Sequence, residues 1–183
     1  MEMITPDNTT YKVCCEVKDY LQKNSNIKTV VVASTTGKTG LYFAEMLKDI
    51  DVKLVIVRHN TGFSKDNFQE MPKEIYDALL KSGAEVVTSL HLFRAVGKAI
   101  ANKYGCASYE FVIADTLRMF GEGTKVAVEI AVMAADAGVI VTGEDIISVA
   151  GTGHGADTAL VLSPVNAREL FNLRIKEVIY LGP

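Results

Sequence analysis

A chain of 183 residues with 49% hydrophobic content and a formal net charge of −3 is long enough to bury one substantial core without metals or disulfides as staples. The near-neutral charge gives no electrostatic basis for binding DNA or RNA. No run approaches about twenty apolar residues and no basic region leads into an apolar one at the N-terminus, so the chain reads as soluble and cytoplasmic, with no membrane partner. Cys14 and Cys15 are adjacent, Cys106 stands apart, no CxxC occurs, and His59, His91 and His154 share no metal-ligand spacing. That pattern argues against zinc, iron–sulfur and disulfide chemistry and leaves the histidines as surface, capping or ligand-contacting residues. One domain over residues 1–183 is expected.

In chain order, Thr9 or Thr10 can cap a helix over residues 11–23, in which Val13, Val17, Tyr20 and Leu21 form an apolar stripe. A buried strand follows over 28–33, then a helix over 39–49 with Leu41, Ala44 and Leu47 on its packing face. The strand over 52–57 is nearly all apolar, as in parallel sheets covered on both faces. After a polar stretch over 58–71, Pro72 opens a helix over 73–81, and a strand runs over 85–88. The middle reads as helices over 92–104, 109–120 and 125–137, the last ended by Gly138. Strand segments at 139–141 and 146–150, a glycine-rich bend at 151–156, a strand over 157–162, a helical turn over 166–171 and a closing element over 176–181 complete the chain. The five or six residues between the two late strands leave no room for a crossover, so these strands pair antiparallel. The pattern predicts an α/β fold: three α/β/α layers and a mostly parallel sheet of about five to seven strands with a late antiparallel strand.

Ligands in such sheets gather beyond the carboxyl ends of the parallel strands, where four loops offer candidates. The turn after the first strand holds Ser34, Thr35, Thr36, Gly37, Lys38, Thr39 and Gly40. Its hydroxyls, single cation and fresh helix amides suit an anion, most often a phosphate; a plain capped β-α turn is the alternative. The GxGxxG fingerprint is absent, and Val32 stands where a GxxxxGK[ST] loop needs its first glycine, so a nucleotide triphosphatase is not supported. In RHNTGF, Arg58 offers a fork for phosphate, Asn60 and Thr61 offer hydrogen bonds, and Gly62 permits close approach.

The segment GTGHGAD contributes Gly151, Thr152, Gly153, His154, Gly155 and Asp157, as a tight hairpin corner or as a surface of exposed amides for a planar ligand. FGEGTK offers Gly121 and Gly123, Thr124 as a helix cap and Lys125 as a cation, with an ordinary helix–helix turn as its alternative. His154 and Asp157 can form an acid–base couple, Glu122 and Asp115 can face the cleft, and Cys106 has no activating partner. No nucleophile, base and orienting group are legible as a set.

The stretch SNIKTVVVASTTGKTGLYFAEML, with its turn TTGKTG, resembles the opening of the C-terminal α/β domain of pyruvate kinase. With RHNTGF and GTGHGADTALVLSP included, most of the chain more closely resembles the small stand-alone archaeal proteins assigned to that fold. In pyruvate kinase this domain lies apart from the catalytic barrel, and in regulated enzymes its first Ser/Thr turn, matched here by Thr35, Thr36, Gly37, Lys38 and Thr39, receives a sugar-phosphate effector. Here Gly40 stands where the family commonly has Ala, Lys38 lies inside the turn and no barrel is present, so phosphoenolpyruvate chemistry is not implied. The stand-alone relatives imply flavin mononucleotide (FMN), its phosphate on the Ser/Thr-Gly corner and its ring against the other glycine-rich loops. The expectation is a protein that binds a phosphorylated ligand, FMN foremost. A flavin-dependent oxidoreductase and a sugar-phosphate-sensing regulatory protein are the alternatives, and homo-oligomerisation stays open.

Overall fold

The computed structural model describes residues 7–182; residues 1–6 and 183, the two ends of the expected 1–183 domain, lie outside the described residues. Strands β1 (Thr29–Ala33), β2 (Lys53–Arg58), β3 (Glu85–Thr88), β4 (Ile146–Ala150), β5 (Thr158–Ser163) and β6 (Arg174–Leu181) form one sheet in the order β3-β2-β1-β4-β5-β6. The first four run parallel, and β5 and β6 are added antiparallel. Helices α1 (Asn8–Lys23), α2 (Lys38–Leu47), α3 (Lys73–Lys81), α4 (Ala95–Tyr104), α5 (Tyr109–Arg118) and α6 (Glu122–Asp136), with a 3₁₀ segment at Ala167–Asn172, complete the described chain.

The period of two along each strand explains the layers. Val30, Val32, Leu54, Ile56, Ile147 and Val149 point to one face and pack against Val13 and Val17 of α1, Phe43 and Leu47 of α2 and Leu79 of α3. Val31, Val55, Val57, Ile146 and Ala150 point to the other and pack against Ala127, Ile130, Ala131 and Ala134 of α6. With both faces covered, the strands read as continuous apolar runs. The result is the three-layer α/β/α architecture anticipated from the sequence. Ser148 of β4 is a buried exception, and its hydroxyl donates to the Ala127 carbonyl of α6 at 2.7 Å.

Several boundaries and one strand differ from the sequence reading. The first helix is capped by Asp7, which accepts from the Thr10 amide at 2.7 Å, not by Thr9 or Thr10. No strand forms at 139–141, because the Val139 amide closes the end of α6 on the Ala134 carbonyl. α4 starts three residues later than expected, since the Phe93 amide turns aside to donate to the Glu129 carboxylate. α6 starts at Glu122, and Thr124 is not its cap: its hydroxyl donates backward to the Phe120 carbonyl at 2.9 Å. The late antiparallel addition is a pair of strands rather than one.

Gly123 shows what position the first turn of α6 requires. A Cβ built on it meets the side chains of Asp157 and Thr158, so glycine lets α6 lie against the start of β5. Gly123→Ala is expected to cost about 1–3 kcal/mol through overpacking, read as a lower urea midpoint with an unchanged slope.

Candidate functional site

The sheet order creates the place for a site. After β1 the chain crosses through α2 to β2 on one side, whereas after β3 it crosses through α4, α5 and α6 to β4 on the other. The connections from neighbouring parallel strands β1 and β4 therefore depart in opposite directions and leave a crevice beyond their carboxyl ends. A cleft of about 910 Å³ opens there, within the range of small-molecule sites.

Its first wall is the turn between β1 and α2. The buried Ser34 hydroxyl accepts from the Gly40 amide at 3.0 Å, and the Leu41 amide bonds the Gly37 carbonyl at 2.9 Å, so the helix start is held without a ligand. Gly37, at φ 85°, makes the left-handed step into α2. The amides of Thr35, Thr36, Gly37, Lys38 and Thr39 have no protein acceptor among the described residues. Five consecutive free donors at a helix N-terminus, with two exposed side chains, Thr36 and Lys38, beside them, make a positive corner.

The second wall was missed in the sequence. His59 Nδ1 lies 2.7 Å from Glu70 Oε2, and His59 Nε2 lies 3.2 Å from Thr35 Oγ1. A hydroxyl, an imidazole and a carboxylate are thus joined in one chain. The His59 ring stacks on Phe63 at 3.8 Å between centroids and meets His91 at 5.0 Å; Arg94 covers the Phe63 ring at 4.6 Å. Burial pushes the His59 pKa below its ordinary value, against the opposing pull of Glu70.

The floor belongs to α6. Lys125 and Glu129, one helical turn apart, are both buried and joined at 2.6 Å. Glu129 also accepts from the Phe93 amide at 3.0 Å and lies 3.5 Å from His91 Nδ1. Burial alone would raise the Glu129 pKa, but His91, Lys125 and the Phe93 amide overcome it and hold the carboxyl down at about 2. His91 Nε2 is buried and has no hydrogen-bond partner among the described residues.

Of the residues singled out in the sequence, Ser34, Thr35, Thr36, Lys38, Thr39, Arg58, Lys125, Gly151, Gly153, His154 and Gly155 line the cleft, as do Asp115 and Glu122. Gly37 and Gly40 are buried beneath the corner. Arg58 is turned aside, donating to Thr88 at 2.6 Å with its guanidinium over Tyr76. Asn60, Thr61 and Gly62 lie outside the lining, and the exposed Gly121, like Gly123 and Thr124, serves the start of α6. Asp157 is not coupled to His154: its carboxylate accepts from the Thr152 amide at 2.8 Å and the Thr158 hydroxyl at 2.7 Å, tying the bend together. Lys125 is committed to Glu129, whereas Lys38, Arg94 and Lys98 have no carboxylate within ion-pair distance among the described residues. No group of three or more His, Cys, Asp or Glu among those residues is placed to hold a metal ion.

The Glu129 network makes an acid-stability prediction. Its folded pKa of about 2 lies below the ordinary 4.5, so its stabilisation is fully present above the unfolded value and fades as pH falls through the folded one. Glu129→Gln is expected to lose about 3 kcal/mol at neutral pH by taking from Lys125 its buried partner and leaving it only Glu122 at 3.9 Å. That deficit should shrink between the two values, as read by denaturant titrations at a series of pH.

A model of the family described as pyruvate kinase, alpha/beta domain, matches residues 12–162. Among solved structures, a pyruvate kinase from Cryptosporidium parvum is similar at 14% identity and a TM-score of 0.41, over 88% of this chain and 24% of that one. The chain thus spans about a quarter of that enzyme's length. No described helix is long and apolar enough to cross a membrane. Since the family match takes in most of its length, the chain belongs to the pyruvate kinase alpha/beta domain family.

Proposed function

We propose that the cleft binds a phosphorylated ligand, with FMN as its favoured occupant, in a cytoplasmic, stand-alone archaeal-type member of the family. The observation that carries this reading is the run of five amides without protein acceptors beside Thr36, Thr39 and Lys38. Each charge-assisted bond to a phosphate contributes about 1.5–3 kcal/mol. Three such bonds sustain binding on the order of micromolar once association entropy is subtracted.

The residues present also suit a flavin. Phe63, Phe93 and Phe111 give apolar wall, and the exposed bend at Gly153 gives backbone with nothing within 4 Å of a built Cβ. When bound, FMN supplies one- or two-electron redox chemistry. The chain's own part is to anchor the phosphate at the 35–39 turn and to present imidazoles at the other wall. Those imidazoles, His59 and His91, are the one observation that favours the second reading, a flavin-dependent oxidoreductase. A sugar-phosphate effector would use the same corner without needing the aromatic wall.

Mass spectrometry of the small molecule released from native protein tests the reading directly: FMN supports it, and a protein that neither carries nor binds any phosphate ester overturns it. Lys38→Ala combined with Thr39→Ala is expected to weaken FMN by about tenfold or more with the fold intact, measured by calorimetry. Gly153→Val should weaken FMN much more than inorganic phosphate, since it adds bulk on the ring side and, at φ 79°, strains the bend. Circular dichroism of the variant separates a lost contact from a lost fold.

A further inference from the structure

We propose that Thr35, His59 and Glu70 form a catalytic triad that hydrolyses carboxylic esters, with the Thr35 hydroxyl as nucleophile, His59 as base and then acid, and Glu70 as the residue that positions the imidazole. The proposal goes beyond the phosphate reading and stands without it, although both draw on the amides of the 35–39 turn.

The three groups come from separate parts of the chain and converge in the cleft: Thr35 from just past the end of β1, His59 from just past the end of β2 and Glu70 from the segment before α3. Both links lie within hydrogen-bond reach, 3.2 Å from Thr35 Oγ1 to His59 Nε2 and 2.7 Å from His59 Nδ1 to Glu70 Oε2, as a nucleophile, its base and an orienting group require. A carboxylate accepts hydrogen bonds and donates none, so Glu70 fixes the proton of neutral His59 on Nδ1. Nε2 then holds its lone pair toward Thr35, whose hydroxyl donates to it. Phe63, stacked on the ring at 3.8 Å, holds its plane. Burial pushes the His59 pKa below its ordinary value, with His91 adding to that and Glu70 and Glu129 opposing it, so the free ring is neutral at neutral pH and able to take a proton.

The passage from strand to helix supplies the other requirement. Thr35 stands where β1 gives way to the turn into α2, and Gly37 at φ 85° makes that turn sharp. The amide of Thr36, next in the chain to the nucleophile, and those of Gly37, Lys38 and Thr39 have no protein acceptor among the described residues. Donors therefore stand beside the point of attack, where charge develops on a carbonyl oxygen. Thr35 Oγ1 bonds to the acyl carbon as its proton passes to His59 Nε2; the bond from that carbon to the alcohol oxygen breaks, and the alcohol leaves with the proton. Water then attacks the acyl group on Thr35 and gives a proton to Nε2, and Thr35 Oγ1 departs with it. Ester and water become acid and alcohol with no further reactant. Phosphoryl transfer suits the triad less well, since attacking and leaving oxygens lie in line on opposite sides of phosphorus. An imidazole bonded to the nucleophile cannot reach that leaving oxygen, whereas in acyl transfer both oxygens sit on one tetrahedral carbon. Phe63 and Phe111 in the lining offer apolar surface to the acyl or alcohol group.

The test uses the protein as purified and after exhaustive dialysis to strip any bound small molecule. An alkyl fluorophosphonate, which esterifies an activated hydroxyl with loss of fluoride, is added and the labelled residue mapped by peptide mass spectrometry; hydrolysis of p-nitrophenyl butyrate gives kcat and KM. Labelling at Thr35 is expected, lost in Thr35→Val and kept in Thr35→Ser. His59→Gln should lower kcat by about 10²–10⁴-fold with KM little changed. Glu70→Gln should lower kcat in the same way, since a side-chain amide can donate to Nδ1 and move the ring proton to Nε2. If His59→Gln does not fold, as judged by circular dichroism, the Thr35 and Glu70 variants decide. No label in either preparation, a label at another residue, or ester hydrolysis undiminished in Thr35→Val overturns the proposal. So does a phosphoryl group on Thr35 after incubation with p-nitrophenyl phosphate in a protein that does not turn over the ester. None of these outcomes bears on the release of FMN from native protein, so the phosphate reading stands or falls separately.

Discussion

An ionised carboxylate buried in an apolar layer is unstable unless every lone pair is answered, and Glu129, only 1% exposed, sets that requirement at the centre of this protein. Lys125 answers from one turn earlier on α6, the Phe93 amide from the segment before α4, and His91 from the same segment. These bonds fix residues 91–93 against a helix whose sheet-facing side chains are Ala127, Ile130, Ala131, Met133 and Ala134. They also orient the His91 ring toward His59 and Phe63. The floor of the cleft and one of its walls are therefore consequences of satisfying one charge.

Glu70 imposes a similar condition on the opposite wall. It lies in the segment joining β2 to α3 and grips His59 just past the end of β2, so the loop folds back over the strand end. The cleft then has an uneven charge distribution: free amides and Lys38 on the α2 side, carboxylate-backed imidazoles beside them, and Arg94 and Lys98 near the α4 start. A purely anionic ligand satisfies half of it. On the proposed reading, a ligand with an anionic end and its own donors would satisfy more of it than a bare inorganic ion.

Much of the fold was legible because local and global signals agree. The helix over 73–81 and the strand over 85–88 fall where pattern and punctuation put them, and the 34–40 turn advertises its chemistry in seven contiguous polar or glycine positions. The bend between β4 and β5 was also readable, since its length excludes a crossover. The second half of the site was not. His59 and Glu70 are separated by a loop without periodicity, and His91 meets Glu129 across 38 residues, contacts that a single sequence does not encode locally. One signal was present: Lys125 and Glu129, spaced i to i+4 inside KVAVEIAVMAA, form a charged pair in a run otherwise fit for burial. Asn60 and Thr61 lie outside the cleft lining and Thr124 lies within α6, because composition marks a segment as polar without saying whether its side chains face a cleft or serve the backbone.

The glycine bend shows why the cleft is built before any ligand arrives. Its two ends are tied by Asp157, through the Thr152 amide and the Thr158 hydroxyl, and its last residue is held from the other end of the chain: the Ala156 amide donates at 2.9 Å to Thr10 of α1, which Asp7 orients in turn. Gly155 sits so close to Thr10 and Asp7 that a Cβ there would displace them. An otherwise mobile sequence of glycines is thereby fastened to a helix 146 residues away, and the entropy of ordering it is lost on folding instead of on binding. The same holds at the 34–40 turn, where Ser34 already holds the Gly40 amide while leaving the amides before it unbonded. Both loops are tied down where they meet the protein, and the 35–39 turn keeps amides without acceptors among the described residues where it meets the cleft.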